Sequence, residues 1–144
     1  MKIRPAQNDD LGAIKALLAG NDLPSSDVTA ELLKDFVVAE DTNGILVGNI
    51  GLERFGRDAL LRSLVVTEAA RDSGLGGNLV AQAEDFARNS EVGELWLLTT
   101  TAAEFFRRAG YVTVDRAAAP DKVQASMQFA ALCPASAVCM KKRL

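Results

Sequence analysis

LLRSLVVTEAARDSGLGGNLV, residues 60–80, is the stretch from which the fold can be read. Its apolar run Leu64-Val65-Val66 has the character of a buried strand. Gly74, Gly76 and Gly77 then mark a turn before apolar residues recur at helical spacing. A strand, a glycine turn and a helix together make an anion site. The first N–H groups of a helix have no intrahelical partner, and the macrodipole adds positive potential where they point. Arg71, three residues before Gly74, brings a guanidinium to the same mouth.

Upstream, residues 35–40 and 45–55 are strand-like runs separated by Thr42-Asn43-Gly44, and Asn-Gly is a strong hairpin signal. Phe55-Gly56-Arg57-Asp58 forms a second turn, so three sequential antiparallel strands lead into the glycine turn, and the third feeds a parallel crossover. Residues 2–5 read as a short strand, and Asp9 or Asp10 as the cap of a helix bearing Leu11, Ile14, Leu17 and Leu18 on one face. After the turn cluster 21–26, Ser26 or Asp27 is expected to start a second helix running through Leu33. Downstream, Leu75, Leu79, Val80, Ala83, Phe86 and Ala87 define an amphipathic helix, followed by a strand over 94–100 and a short helix over 102–109. A strand from Tyr111, a mixed helical segment over 120–129, a strand over 136–140 and a solvated basic tail of Lys141, Lys142 and Arg143 complete the expectation.

The 144 residues and 49% hydrophobic content suit one domain, 1–144, with a sizeable core. A net charge of −3 argues against a general nucleic-acid binder, and no apolar run approaches a membrane span or a signal peptide. Two cysteines, Cys133 and Cys139, favour a reducing cytoplasm over a disulfide scaffold. Histidine is absent, which removes Ser-His and Cys-His catalysis and any histidine-ligated metal. Acid–base work falls to carboxylates, hydroxyls, thiols or water, and no metal is expected.

Arg71-x-x-Gly74-x-Gly76 after Leu64-Val65-Val66, together with AAEFFRRAGY over 102–111, resembles the two cofactor motifs of the GNAT superfamily of N-acetyltransferases. The resemblance spans nearly the whole chain. It implies an α/β fold with a mixed, mostly antiparallel central sheet of about six to seven strands, splayed at an acetyl-CoA site and flanked by about four helices. It also implies that the pantetheine arm fills the splay as a pseudo-strand against Leu64, Val65 and Val66. Arg71 and the segment Asp72, Ser73, Gly74, Leu75, Gly76, Gly77 and Asn78 would hold the diphosphate, with Thr99, Phe105 and Phe106 beside the thioester. A backbone N–H near Val66 would stabilise the oxyanion. The family's usual tyrosine acid is missing: Phe106 stands at its position, and the one tyrosine, Tyr111, stands where Gly-Phe has phenylalanine. Either the thiolate leaves unassisted, which its moderate basicity permits, or Thr99, Thr101, Ser63 or Cys133 serves as donor, with Thr101 taken as the catalytic hydroxyl.

LLRSLVV over 60–66, LLTTTAAEFF over 97–106 and the ending FAALCPASAVCMKK are similar to the small arsenic-resistance N-acetyltransferases of bacteria. The implied acceptor is a small amine, amino-acid-like or organoarsenical, attacking in a ternary complex on a monomer or homodimer. Glu53 is the candidate base, directly or through water, because a strand carboxylate is costly to bury without a purpose. Arg62 and Ser63 are candidate acceptor-binding residues, and Arg62 has two readings: a clamp for an acceptor carboxylate, or a partner for Glu53. Cys133 and Cys139 fit a core better than a soft-metal site. A peptide N-acetyltransferase and a non-catalytic CoA-binding or arsenic-sensing module are the competing functions.

Overall fold

The computed structural model describes residues 1–144. Seven strands, β1 (Lys2–Pro5), β2 (Phe36–Glu40), β3 (Leu46–Phe55), β4 (Asp58–Val66), β5 (Glu94–Thr99), β6 (Val112–Thr113) and β7 (Val138–Arg143), form one sheet in the order β1-β2-β3-β4-β5-β7-β6. Four α-helices, α1 (Leu11–Ala19), α2 (Leu75–Asn89), α3 (Ala103–Arg108) and α4 (Asp121–Gln124), and a fifth, π-helical segment, Gln128–Leu132, accompany it. All sheet pairings are antiparallel except β4 with β5. No helix is long and apolar enough to cross a membrane.

The two hairpins form where their turn residues predict. Gly44 and Gly56 take positive φ, and the Asp41 carboxylate accepts from the N–H groups of Asn43 and Ile45. Period-two alternation sorts the strand side chains onto two faces. On one face α2 buries Leu75, Leu79, Val80, Ala83 and Ala87 against Ile50, Leu52, Ala59, Leu61, Leu95 and Leu97. On the other, α1 packs Ile14 and Leu18 with Phe36, Val38 and Val65, and α4 packs Val123 with Leu60, Trp96 and Phe129. Phe36 lies directly over Gly51, where any Cβ would sit 2.1 Å from its ring.

One irregularity governs the centre of the sheet. Gly51 pairs with Arg62 and Asn49 with Val65, so Ile50 alone faces Ser63 and Leu64: β4 carries a bulge. Ser63 takes φ 60, and the fully buried Asn49 donates from Nδ2 to its carbonyl at 2.7 Å. Beyond the bulge Leu64 and Val66 turn to the α2 face, while Val65 joins Arg62's face.

Several expectations need correction. Residues 26–31 form no helix, and only the 3-10 turn Leu32–Asp35 follows, because the Asp27 carboxylate accepts from Arg62 instead of capping. Asp10 precedes α1 but accepts from Arg4 and the Gln7 N–H rather than from the helix. Lys141, Lys142 and Arg143 are not a solvated tail: they pair with Trp96, Leu95 and Glu94 in β7. Lys142 reaches both Glu84 oxygens on α2, at 3.0 and 3.1 Å.

Candidate active site

The parallel ladder between β4 and β5 is short. Asp58, Ala59 and Leu60 pair with Glu94, Leu95 and Trp96, and from there the strands diverge. β5 stays paired with β7 on its other edge through Thr99. The β4 bulge at Ser63 and Leu64 follows within that divergent stretch and bends the strand further. Thr67 donates to Val47 across the β3 side, so alternation turns the Val66 N–H toward the gap. The Val66 carbonyl accepts from Arg71 Nε at 3.1 Å, outside the β3 ladder.

The gap opens into a cavity of about 860 Å³. One wall is β4 from Leu61 to Val66; another is Leu97 to Ala102 with Phe105 and Phe106. The turn before α2 lines it as well, with Asn21 beside Arg71, and Gln128, Leu132, Cys133 and Pro134 complete the lining. At the α2 end Gly74 has φ 81, and the first intrahelical bond is Asn78 N–H to the Gly74 carbonyl. The N–H groups of Leu75, Gly76 and Gly77 therefore have no helical partner. A Cβ on Gly74 or Gly77 would meet nothing within 4 Å, so the space before these amides is open. This combination fits a diphosphate carried by an extended thioester arm: free amides at a helix start and an unzipped strand edge leading away from them.

The cofactor residues expected from sequence converge here with two exceptions. Leu64, Val65, Val66, Arg71, Asp72, Gly74, Leu75, Gly76, Gly77, Thr99, Phe105 and Phe106 line the cavity; Ser73 and Asn78 do not, and the Ser73 hydroxyl donates back to Ala70. Arg71 bridges Val66 and Asn21 Oδ1, the latter at 3.0 Å, and so ties the loop after α1 to the end of β4. Thr99 Oγ1 accepts from Ala102 N–H and fixes the entry to α3. Thr101 is exposed on the cavity wall. Phe105 touches the glycine turn, 3.4 Å from where a Gly76 Cβ would lie, and Phe106 is packed edge-on between Phe105 and Tyr111. Tyr111 is 1% exposed and donates to Glu84 at 2.8 Å; burial, then the Glu84 charge, pushes its hydroxyl well above the ordinary range. It belongs to the core.

Around Arg62 the pairing with Glu53 is present, and Asp27 completes it. Arg62 Nη1 donates to Asp27 and to Glu53, both at 2.5 Å, Nη2 to Asp27 at 2.6 Å and Nε to Ser63 Oγ at 3.0 Å. Its side chain is fully buried. Burial pulls the guanidinium's pKa down, and the two carboxylates outweigh that and hold it above its usual value. Four of five N–H groups are thus engaged, so the clamp reading leaves one free donor. Glu53 lies behind the cavity wall rather than in it. Sequence offers Asp27 only as a helix start and gives Gln128 no role: the first meets its partner 35 residues away, and the second carries no local signal.

The Acetyltransferase (GNAT) domain family matches residues 33–113, more than half of the chain. An uncharacterized N-acetyltransferase, CT2212 of Chlorobaculum tepidum, is 34% identical over 94 residues, covering 65% of this chain and 59% of that protein. Among solved structures, N-acetylglutamate synthase from Neisseria gonorrhoeae, complexed with coenzyme A and N-acetyl-glutamate, superposes with a TM-score of 0.86 at 24% identity. That match covers 99% of this chain and 35% of the synthase. Rv2747 from Mycobacterium tuberculosis, in complex with CoA and NLQ, gives 0.84 at 22% identity over 100% of this chain and 99% of its own. The chain therefore spans only part of CT2212 and of the synthase, and at these identities the two solved structures establish the fold. Fold, glycine turn and domain match converge on one conclusion: the chain belongs to the GNAT acetyltransferase family.

Proposed function

We propose that this chain is an acetyl-CoA-dependent N-acetyltransferase of the cytoplasm, acting on the amine of a small, amino-acid-like molecule by direct attack in a ternary complex. The observation that carries the reading is the unzipped β4–β5 edge opening onto the free amides of Leu75 to Gly77. Acetyl-CoA supplies the acetyl group already activated as a thioester. The amides at the start of α2 and the Arg71 guanidinium bind diphosphate. Leu64 and Val66 orient the acyl arm, and the Val66 N–H holds negative charge on the acyl oxygen, a donor typically worth about 3 kcal/mol. Glu53, fixed by Arg62, takes the amine proton through water, and the Thr101 hydroxyl gives one to the departing sulfur. Arg62 and Ser63 border the acceptor. Two unpaired thiols, Cys133 and Cys139, fit the reducing compartment.

Millimolar acetyl-CoA should raise the melting temperature by mass action, and CoA thiol should appear when a pool of amino acids and amines is added. Absence of the shift overturns the cofactor reading. The likeness to arsenic-resistance enzymes supports including an organoarsenical amino acid in the pool. A second reading, a CoA-binding module without turnover, is favoured by the burial of the only tyrosine on Glu84. It predicts the shift without thiol release.

A further inference from the structure

The acceptor end of the cavity holds one buried polar side chain that no step above uses. Gln128 opens the π-helical turn Gln128–Leu132, closed by the Cys133 N–H on the Gln128 carbonyl at 2.9 Å. Such turns are rare and concentrate at functional sites. Arg116 pins this one, donating to the carbonyls of Phe129 at 2.6 Å and Pro134 at 2.8 Å. Gln128 is 5% exposed and lines the cavity. Its Oε1 accepts from Cys133 Sγ at 3.5 Å, whereas its Nε2 donates to no group of the protein and is not sealed away.

The orientation of this carboxamide has a cause. Burial pushes the Cys133 thiol up, against the charges of Arg116 and Arg62, so the sulfur keeps its proton and acts as a donor. A donor selects the oxygen of the amide and leaves the N–H2 facing the cavity. Arg62 lines the same cavity as Gln128 and Cys133, and its charge acts on the thiol. With four of its N–H groups engaged by Asp27, Glu53 and Ser63, that guanidinium has little to offer an acceptor oxygen.

We propose that Gln128 is a specificity-determining residue of the acceptor site, its N–H2 binding a carboxyl or carboxamide oxygen of the acceptor, with Cys133 as the residue that positions it. This rests on the reading of the cavity as an acetyl-CoA site. The test uses the full chain with acetyl-CoA and thiol release, and three sets of acceptors: proteinogenic amino acids, their α-amides, and the amines left by removing the carboxyl group. Turnover is expected with carbonyl-bearing acceptors. Gln128→Leu, or Gln128→Met as a second variant of similar volume, should raise their KM about 10-fold with a smaller change in kcat. The decarboxylated amines should be poor acceptors that the substitution leaves unchanged. Cys133→Ser should retain the KM and Cys133→Val should raise it. A preference for amides or for acids tells whether the oxygen is neutral or charged, and either supports the assignment. Equal loss across the three sets, an unchanged KM, or no turnover of any carbonyl-bearing amine while acetyl-CoA still shifts melting overturns it. Loss of that shift in the unsubstituted chain fails the cofactor reading instead.

Discussion

The two ends of the cavity are built from different materials. The donor end is backbone: the free amides before α2, the unpaired edge of β4 and the open space at Gly74 and Gly77. The acceptor end is side chain: Arg62 bracketed by Asp27 and Glu53, and Gln128 held by Cys133 on a turn that Arg116 ties down. Backbone recognition depends on local conformation and tolerates many side chains. Side-chain recognition depends on partners distant in sequence, and each partner is a point of failure.

Substitutions can break that contrast. Arg62→Leu should have the largest effect, because it leaves Asp27 and Glu53 facing each other without the cation: a loss of about 3–5 kcal/mol in urea unfolding. If the contrast holds, the folded fraction still binds acetyl-CoA. Gly76→Glu should do the reverse, keeping stability but weakening acetyl-CoA binding about 100-fold or more, about 2.7 kcal/mol by calorimetry. The added carboxylate would stand among the amides and meet the Phe105 ring. Glu53→Gln sharpens the assignment at the acceptor end: it should flatten the acid limb of the pH–rate profile at saturating acetyl-CoA while leaving acetyl-CoA affinity unchanged. An unaltered profile with a good acceptor removes Glu53 as the base.

The smallest effect is a control outside both ends. Arg4 grips the Asp10 carboxylate at 2.8 and 3.0 Å and holds it below the usual carboxylate range. The unfolded chain binds that proton more readily, so the contribution to stability is fully present above the unfolded pKa, about 4. It is lost as pH falls through the lower folded value. Asp10→Asn should therefore cost about 1–2 kcal/mol at neutral pH, a difference that closes in acid, with no change in acetyl-CoA affinity.

The legibility of the sequence follows the same divide. Leu64-Val65-Val66, Arg71 and the glycines announce themselves through spacing alone, so the strand, the turn and α2 were readable in place. The acceptor end was not. Asp27 read as a helix cap because nothing local connects it to Arg62, and the helix expected after it is absent. Lys141 to Arg143 read as a tail because charges at a terminus look solvated, while their pairing with β5 is fixed by residues almost fifty positions earlier. Gln128 is one glutamine in a largely apolar stretch until the π-helical turn and the Cys133 thiol give its amide a direction.

The extra residue in β4 behaves like a dislocation in a lattice. Up to Arg62 the strand is in phase with β3; past Ser63 every side chain has changed face, so Leu64 and Val66 point to α2 and Val65 to α1. Exchanging one amino acid for another cannot heal such a defect. Only deleting a residue restores the phase, and a chain so repaired would bring β4 back alongside β5, closing the slot and presenting the wrong side chains to both layers. The opening on which the proposed chemistry depends is thus tied to the count of residues between Arg62 and Val65, a quantity that most mutation never touches.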